Sequence, residues 1–200
     1  TYTRTIFSWE FPYYMINQLN QFISGINDSE TLSGIEKEGF LGQARAMRAF
    51  YYFQLAMEFQ HTFSYDLSLP APPIYEKPAI EGKAMSTLTE IFDFIVADLN
   101  YALQTTPEER TNKSFINLNV AYAIMARVQL VMGNWQEAAN SASNARQGYP
   151  LNPDQYPTGF DDMNSSEWIW AMPQRSDQTN YFYIAPHAFT DNVNDGYGLA

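Results

Sequence analysis

Apolar residues return at every third or fourth position in five separate stretches of this chain, and each stretch is bounded by a residue that starts or stops a helix. That spacing gathers the apolar side chains on one helical face, and such a face is stable only when it packs against another. The sequence is thereby restricted to a mainly α architecture of paired helices with long loops and little β structure. Tyr13, Ile16, Leu19, Phe22, Ile23 and Ile26 predict a first helix over 13–26, stopped by Gly25 and the pair Asn27 and Asp28. Ser33 stands three residues before Glu36, a capping-box pattern, and opens a second helix through Ala44, Phe50, Leu55 and Phe59. Ser86, with Thr89 and Glu90 behind it, predicts the start of a third that carries Ile91, Ile95 and Leu99 and ends near Thr105, before Pro107. Asn117 or Asn119 caps a fourth running to Gly133, and a fifth spans Trp135 to Gln147, closed by Gly148 and Pro150.

Between the second and third helices, residues 61–85 hold Pro70, Pro72, Pro73, Pro78 and Gly82, which excludes a helix and predicts a long loop. Loops of that length in compact domains are usually functional. Trp168, Ile169, Trp170, Ala171 and Met172 read as a short strand. Residues 119–152 fit one tetratricopeptide-like unit: Ala126, Ala138 and Ala145 are small enough for close helix approach, Gly133 turns the chain, and Trp135 fills the apex of the hairpin as a core residue. The second and third helices form a further pair of this kind, split by the proline-rich loop. Two units leave apolar faces to be covered by more repeats or by another packed region. Both ends read as truncated.

The formal charge of -11 argues against nucleic acid, which needs a basic stripe to neutralise phosphates. With no cysteine there is no disulfide framework, thiol nucleophile or thiolate metal site. The run Asp191, Asn192, Asn194, Asp195 and Gly196 has Val193 where a calcium loop needs a ligand, so neither a metal nor a cofactor is expected. The 14 tyrosines, 14 phenylalanines and 4 tryptophans supply flat rings with one apolar face, suited to large cores and to stacking on sugars.

Three runs resemble one known family. Gly42 to Phe53, read as Gly42, Gln43, Ala44, Arg45, Ala46, Met47, Arg48, Ala49, Phe50, Tyr51, Tyr52 and Phe53, resembles a helix of the SusD/RagB family. Ile95, Asp98, Leu99 and Ala102 resemble its next helix, and Ala123 to Val128 followed by Gly133, Asn134, Trp135 and Ala138 resemble its later hairpin. Tyr13, Ile16, Asn17 and Asn20 extend the likeness upstream, and Ser166 to Ile169 extend it downstream; Gln43 and Gln129 depart from the family's usual Glu and Tyr. The resemblance implies that residues 1–200 are part of a SusD-like domain lacking its C-terminal portion. It further implies a surface-exposed outer-membrane lipoprotein, held by a lipid anchor outside this stretch, that binds glycan and delivers it to a SusC-like TonB-dependent transporter. A RagB-like peptide-binding lid and a plain tetratricopeptide scaffold are the alternatives.

Trp9, Tyr13 and Tyr14 stand at the entry to the first helix, where a ring stacks on a pyranose while Asn17 bonds its hydroxyls. Tyr181, Tyr183, Asn192 and Tyr197 form a second group of rings and amides, so the expected ligand contacts are Trp9, Tyr13, Asn17, Tyr181, Tyr183, Asn192 and Tyr197. Arg45 and Arg48 are expected to pair with a carboxylate such as Asp98 and to cover aromatic rings rather than to grip a ligand. A glycan-cleaving enzyme needs two carboxylates about 5 to 9.5 Å apart with one raised in pKa by burial, and no pair in the sequence is singled out for that role, so no catalytic residue is assigned.

Overall fold

The computed structural model describes residues 2–153 and 163–172. They form five helices: α1 (Tyr2–Asp28), α2 (Gly34–Phe59), α3 (Leu88–Thr105), α4 (Leu118–Val131) and α5 (Trp135–Ala145). A two-residue antiparallel pairing joins β1 (Pro70–Ala71) to β2 (Ser86–Thr87) at the neck of the long loop.

The first helix is twice as long as the apolar spacing predicts, because aromatic residues four apart continue the pattern upstream of Pro12. Phe7 stacks on Phe11 with centroids 5.3 Å apart, and Trp9 meets Tyr13 at 5.1 Å. Pro12 removes one backbone donor from this helix. Trp9 and Tyr13 therefore lie inside a helix rather than at its entry.

α2 opens as predicted: the Ser33 hydroxyl accepts from the Glu36 amide while the Glu36 carboxylate accepts from the Ser33 amide. α3 opens one residue later than expected. Thr87 forms the reciprocal pair with Glu90, and Ser86 is drawn into the ladder with Ala71. Asn117 caps α4 through the Val120 amide. Asn119 reaches instead to the carbonyls of Ala145 and Gln147, placing the start of α4 beside the end of α5 in an antiparallel hairpin. Gly133, at φ +78°, makes the turn, and Gln129 closes it by accepting from Asn134 through both its carbonyl and its side-chain oxygen.

Helices α1, α2 and α3 run alternately up and down. Phe22 faces Phe40 and Phe11 faces Tyr51 across the first pair, while Gly42 meets Thr105 and Phe53 meets Phe92 across the second. The core is built from Tyr52, Leu55, Ile91, Ile95, Leu99, Val120 and Val128, all fully buried, with Ile16 entering from α1. Each such side chain contributes about 1.5–3 kcal/mol by leaving water.

Two expectations fail here. Trp135 is 67% exposed rather than core. It occupies the first position of α5 with its ring beside the Gly133 turn, and Ala138, Ser141 and Ala145 are the residues that α5 buries. Residues 168–172 form no strand: Ala171 donates to the Lys113 carbonyl and the Trp170 indole donates to Ser114, but no ladder develops between the two segments.

Gly42 lets α2 and α3 touch. A Cβ there would stand 2.5 Å from the Thr105 hydroxyl, 2.6 Å from that of Thr106 and 3.0 Å from the Thr106 backbone nitrogen. Gly42→Ala is expected to destabilise the fold by about 1–3 kcal/mol despite its better helix propensity, measured by chemical denaturation; a gain in stability would show that the helices separate freely. Hydrogen bonds from Ser33 and from Thr87, backbone amide first and hydroxyl second, hold the carboxyls of Glu36 and Glu90 below the ordinary glutamate value. Their ionised forms are favoured in the folded chain, so their contribution is complete above the unfolded value, about 4.3, and is lost as pH falls through the lower folded value. The double variant Glu36→Gln, Glu90→Gln is expected to lose less stability than the parent between about pH 5 and pH 3; identical acid profiles would remove this role.

Candidate functional site

The site begins with a buried ion pair. Arg48 of α2 meets Asp98 of α3 through two nearly parallel bonds, Nε to Oδ2 at 2.7 Å and Nη2 to Oδ1 at 2.8 Å. Both side chains are about 95% buried. Burial pushes the Asp98 carboxyl up, and the two Arg48 bonds oppose that rise by favouring the charged form. The remaining Arg48 nitrogen donates to Asn20 of α1 at 2.7 Å and to the Glu76 carbonyl at 3.4 Å. Phe94 lies under the guanidinium at 4.8 Å, and Arg45 covers Tyr101 at 4.0 Å with one nitrogen 4.0 Å from Asp98. Both arginines thus pair with Asp98 and cover rings, as their positions predict.

From this pair the network extends into the proline-rich loop. Asn20 donates to the carbonyls of Tyr75 and Lys77. The Tyr52 hydroxyl accepts from the Tyr75 amide at 2.7 Å and donates to the Tyr75 carbonyl at 3.1 Å, so both backbone groups of one loop residue are satisfied by one side chain. Tyr13 donates to the Pro73 carbonyl at 2.9 Å, and the Asn17 side-chain oxygen accepts from the Ala79 amide at 3.1 Å. Burial raises the pKa of the Tyr13 and Tyr52 phenols, which keeps both hydroxyls protonated as donors. Five side chains on α1 and α2, those of Tyr13, Asn17, Asn20, Arg48 and Tyr52, thus hold residues 73–79, a segment with no regular structure of its own.

Where this loop leaves the helices, a cleft of about 360 Å³ opens between it and the N-terminal half of α1. Trp9, Tyr13, Ile16 and Asn17 line it from α1, and Pro73 and Ile80 from the loop. Trp9 is fixed edge-on to Phe59 at 4.9 Å and remains half-buried, with its indole N–H donating to none of the described residues. The Asn17 side-chain nitrogen is likewise unused among the described residues. Glu10 and Glu81, both exposed, stand at the rim, and Ile80 is fully exposed. The cleft combines apolar faces with unused donors and acceptors, which fits a flat, hydroxyl-bearing ligand.

Trp9, Tyr13 and Asn17, expected from the sequence, are brought together here, with Tyr13 and Asn17 also spending one polar atom each on the loop. Tyr181, Tyr183, Asn192 and Tyr197 lie outside the described residues. Glu10, Pro73, Ile80 and Glu81 were not anticipated. The density of prolines marked their loop as important without indicating which helix it lies against. A second, polar depression is lined by Arg110, Asn117 and Tyr149. There Arg110 bonds the Phe115 carbonyl at 2.7 Å, the Tyr149 hydroxyl at 3.0 Å and the Ile169 carbonyl, so its donors fasten loops together rather than face a ligand. No group of three or more histidine, aspartate or glutamate side chains among the described residues is placed to hold a metal ion.

Comparison with known proteins agrees with this architecture. Residues 1–130 match a SusD-like family described as starch-binding and associating with the outer membrane. The chain is 29% identical over 154 residues to SusD-like protein P2 of Formosa agariphila, an alignment covering 73% of this chain and 29% of that protein. Among solved structures, a SusD-like carbohydrate-binding protein from Bacteroides vulgatus superposes with a TM-score of 0.79 at 29% identity, covering 86% of this chain and 38% of that one. A SusD superfamily protein from Bacteroides thetaiotaomicron gives 0.74 at 27% identity, with 81% and 37% covered. A laminarin-binding SusD-like protein shares the fold at a TM-score of 0.65 and 23% identity, with 80% and 36% covered. The chain therefore spans well under half the length of these relatives.

Proposed function

The chain belongs to the SusD-like family, and from that premise we propose that it is the helical part of a non-catalytic protein that binds oligosaccharide at the outer surface of the cell and passes it to a SusC-like TonB-dependent transporter. The observation that carries this reading is the convergence of Trp9, Tyr13 and Asn17 with the 73–82 loop on one cleft. A pyranose offers an apolar face of C–H groups and a rim of hydroxyls. The ring of Trp9 accepts the first by dispersion and apolar burial, while its indole N–H and the Asn17 amide donate to the second. The rim carboxylates of Glu10 and Glu81 accept from further hydroxyls. Because residues 73–79 of the loop are already held by hydrogen bonds from the helices, that part has little ordering entropy left to lose when the ligand arrives.

The family description supports association with the outer membrane. No helix among the described residues is long and apolar enough to cross a membrane. Attachment through a lipid anchor, as the resemblance implies, accords with that. The exposed aromatic ridge of α1, comprising Phe7, Phe11 and Tyr14, offers apolar surface for the rest of the protein or for the transporter.

The intact protein isolated from its native outer membrane is expected to bring a large barrel transporter with it, identified by mass spectrometry. In glycan titrations Trp9→Ala is expected to lower affinity about tenfold or more, the worth of an aromatic face returned to water. Ile80→Ser tests the same cleft without touching the fold, since its side chain is fully exposed, and is expected to weaken binding by a smaller factor. Glycan binding unaffected by either change would place the sugar elsewhere, and recovery free of any transporter would contradict the delivery role.

A further inference from the structure

The walls of the cleft carry charge of one sign only. Glu10 on α1 and Glu81 on the loop are the carboxylates among its described lining residues, and none of those residues is a lysine, arginine or histidine. Arg4, Lys77 and Lys83, the cations nearest in sequence, are not among those lining residues. Lys77 and Lys83 line an adjoining depression that shares Tyr75 and Ala79 with the cleft, and Lys83 donates to the Ile74 carbonyl at 2.8 Å. Arg48 is sealed beneath the loop on Asp98 and Asn20. The chain as a whole carries a formal charge of -11.

We propose that the cleft selects by charge, taking neutral or amino-substituted oligosaccharides and rejecting uronate-containing and sulfated ones. The inference rests on the cleft being the sugar site. Two exposed carboxylates flanking a bound sugar accept hydrogen bonds from hydroxyl or ammonium groups at no electrostatic cost. A carboxylate or sulfate ester on the ligand would face them with no cation among the described lining residues to neutralise either. At contact distance in water one such repulsion is worth on the order of a fivefold loss of affinity, and it is weakened further by salt because the Debye length at physiological ionic strength is only about 8 Å. An apolar wall of Trp9, Ile80 and Pro73 adds nothing for an anion.

The test titrates the intact protein with laminarin, sulfated laminarin, chitosan oligosaccharides, polygalacturonate and alginate at low and physiological salt. The expected result is a neutral or amino-substituted glycan as the tightest ligand, with its margin over the anionic ones shrinking as salt rises. In the Glu10→Gln, Glu81→Gln double variant that margin is expected to narrow by on the order of fivefold per carboxylate. If an anionic glycan binds tightest and Trp9→Ala weakens it, the cleft remains the sugar site and the charge selection is overturned. If Trp9→Ala and Ile80→Ser leave the tightest ligand unaffected, or no glycan binds, the site assignment itself falls and the selection with it.

Discussion

The Arg48 and Asp98 pair is the constraint on which the rest of the described structure depends. Three helices and one loop meet at it: Asn20 from α1, Arg48 from α2, Asp98 from α3 and the Glu76 carbonyl from the loop. A buried ion pair is a poor source of net stability, since the cost of removing both charges from water offsets most of their attraction. Its value is geometric. A planar guanidinium bonded to both oxygens of one carboxylate has a fixed orientation, and its remaining donors then point in a fixed direction. Here that direction is toward Asn20, which carries the constraint into the loop through Tyr75 and Lys77. Apolar residues of equal volume would fill the space between the helices without holding any backbone group of the loop.

The cleft follows from that constraint. Residues 73–79 have no helix or sheet to satisfy their backbone, and a buried amide or carbonyl left unpaired costs about 1–3 kcal/mol. The loop lies against α1 with its polar groups met by Tyr13, Asn17, Asn20, Arg48 and Tyr52 from the helices and by Lys83 and Ser86 from its own far side. Trp9, Tyr13, Ile16, Asn17 and Asn20 recur at three- and four-residue steps on one face of α1, so the residues that hold the loop and those that line the cleft form a single stripe. Binding surface and structural support are therefore contiguous, and a ligand against Trp9 rests on a wall whose position is set about three turns away at Asn20.

Much of this was legible in the sequence, and the exceptions have physical causes. The capping box at Ser33 and Glu36 is local, so its spacing suffices to predict the start of α2, and the pairing of Arg48 with Asp98 follows from a charged residue on an apolar helical face. Trp9, Tyr13 and Asn17 read as rings and an amide grouped at the entry to the first helix, and the longer α1 brings them onto one face because helical residues four apart lie together. The role of Tyr13 as a tether was not, since its hydrogen-bond partner lies sixty residues away in a loop whose path no local pattern encodes. Pro12 concealed the first half of α1 because proline usually ends a helix, yet aromatic pairs on either side carry this one through. Trp135 was assigned to the core on size alone, although the first turn of a helix directs its side chain by position rather than by hydrophobicity. Trp168 to Met172 are a short apolar run like a strand but pair with no strand among the described residues.

The account stands most directly on whether the buried network, rather than the loop's own sequence, holds residues 73–79 in place. Amide hydrogen exchange in the intact protein, compared with Asn20→Ala, measures this. The account predicts that the Tyr75 and Ala79 amides lose protection together while those of α4 and α5 keep theirs. Unchanged protection across residues 74–79 would contradict it, showing that the loop is positioned without the Asn20 link to Arg48 and that the cleft owes its shape to something else.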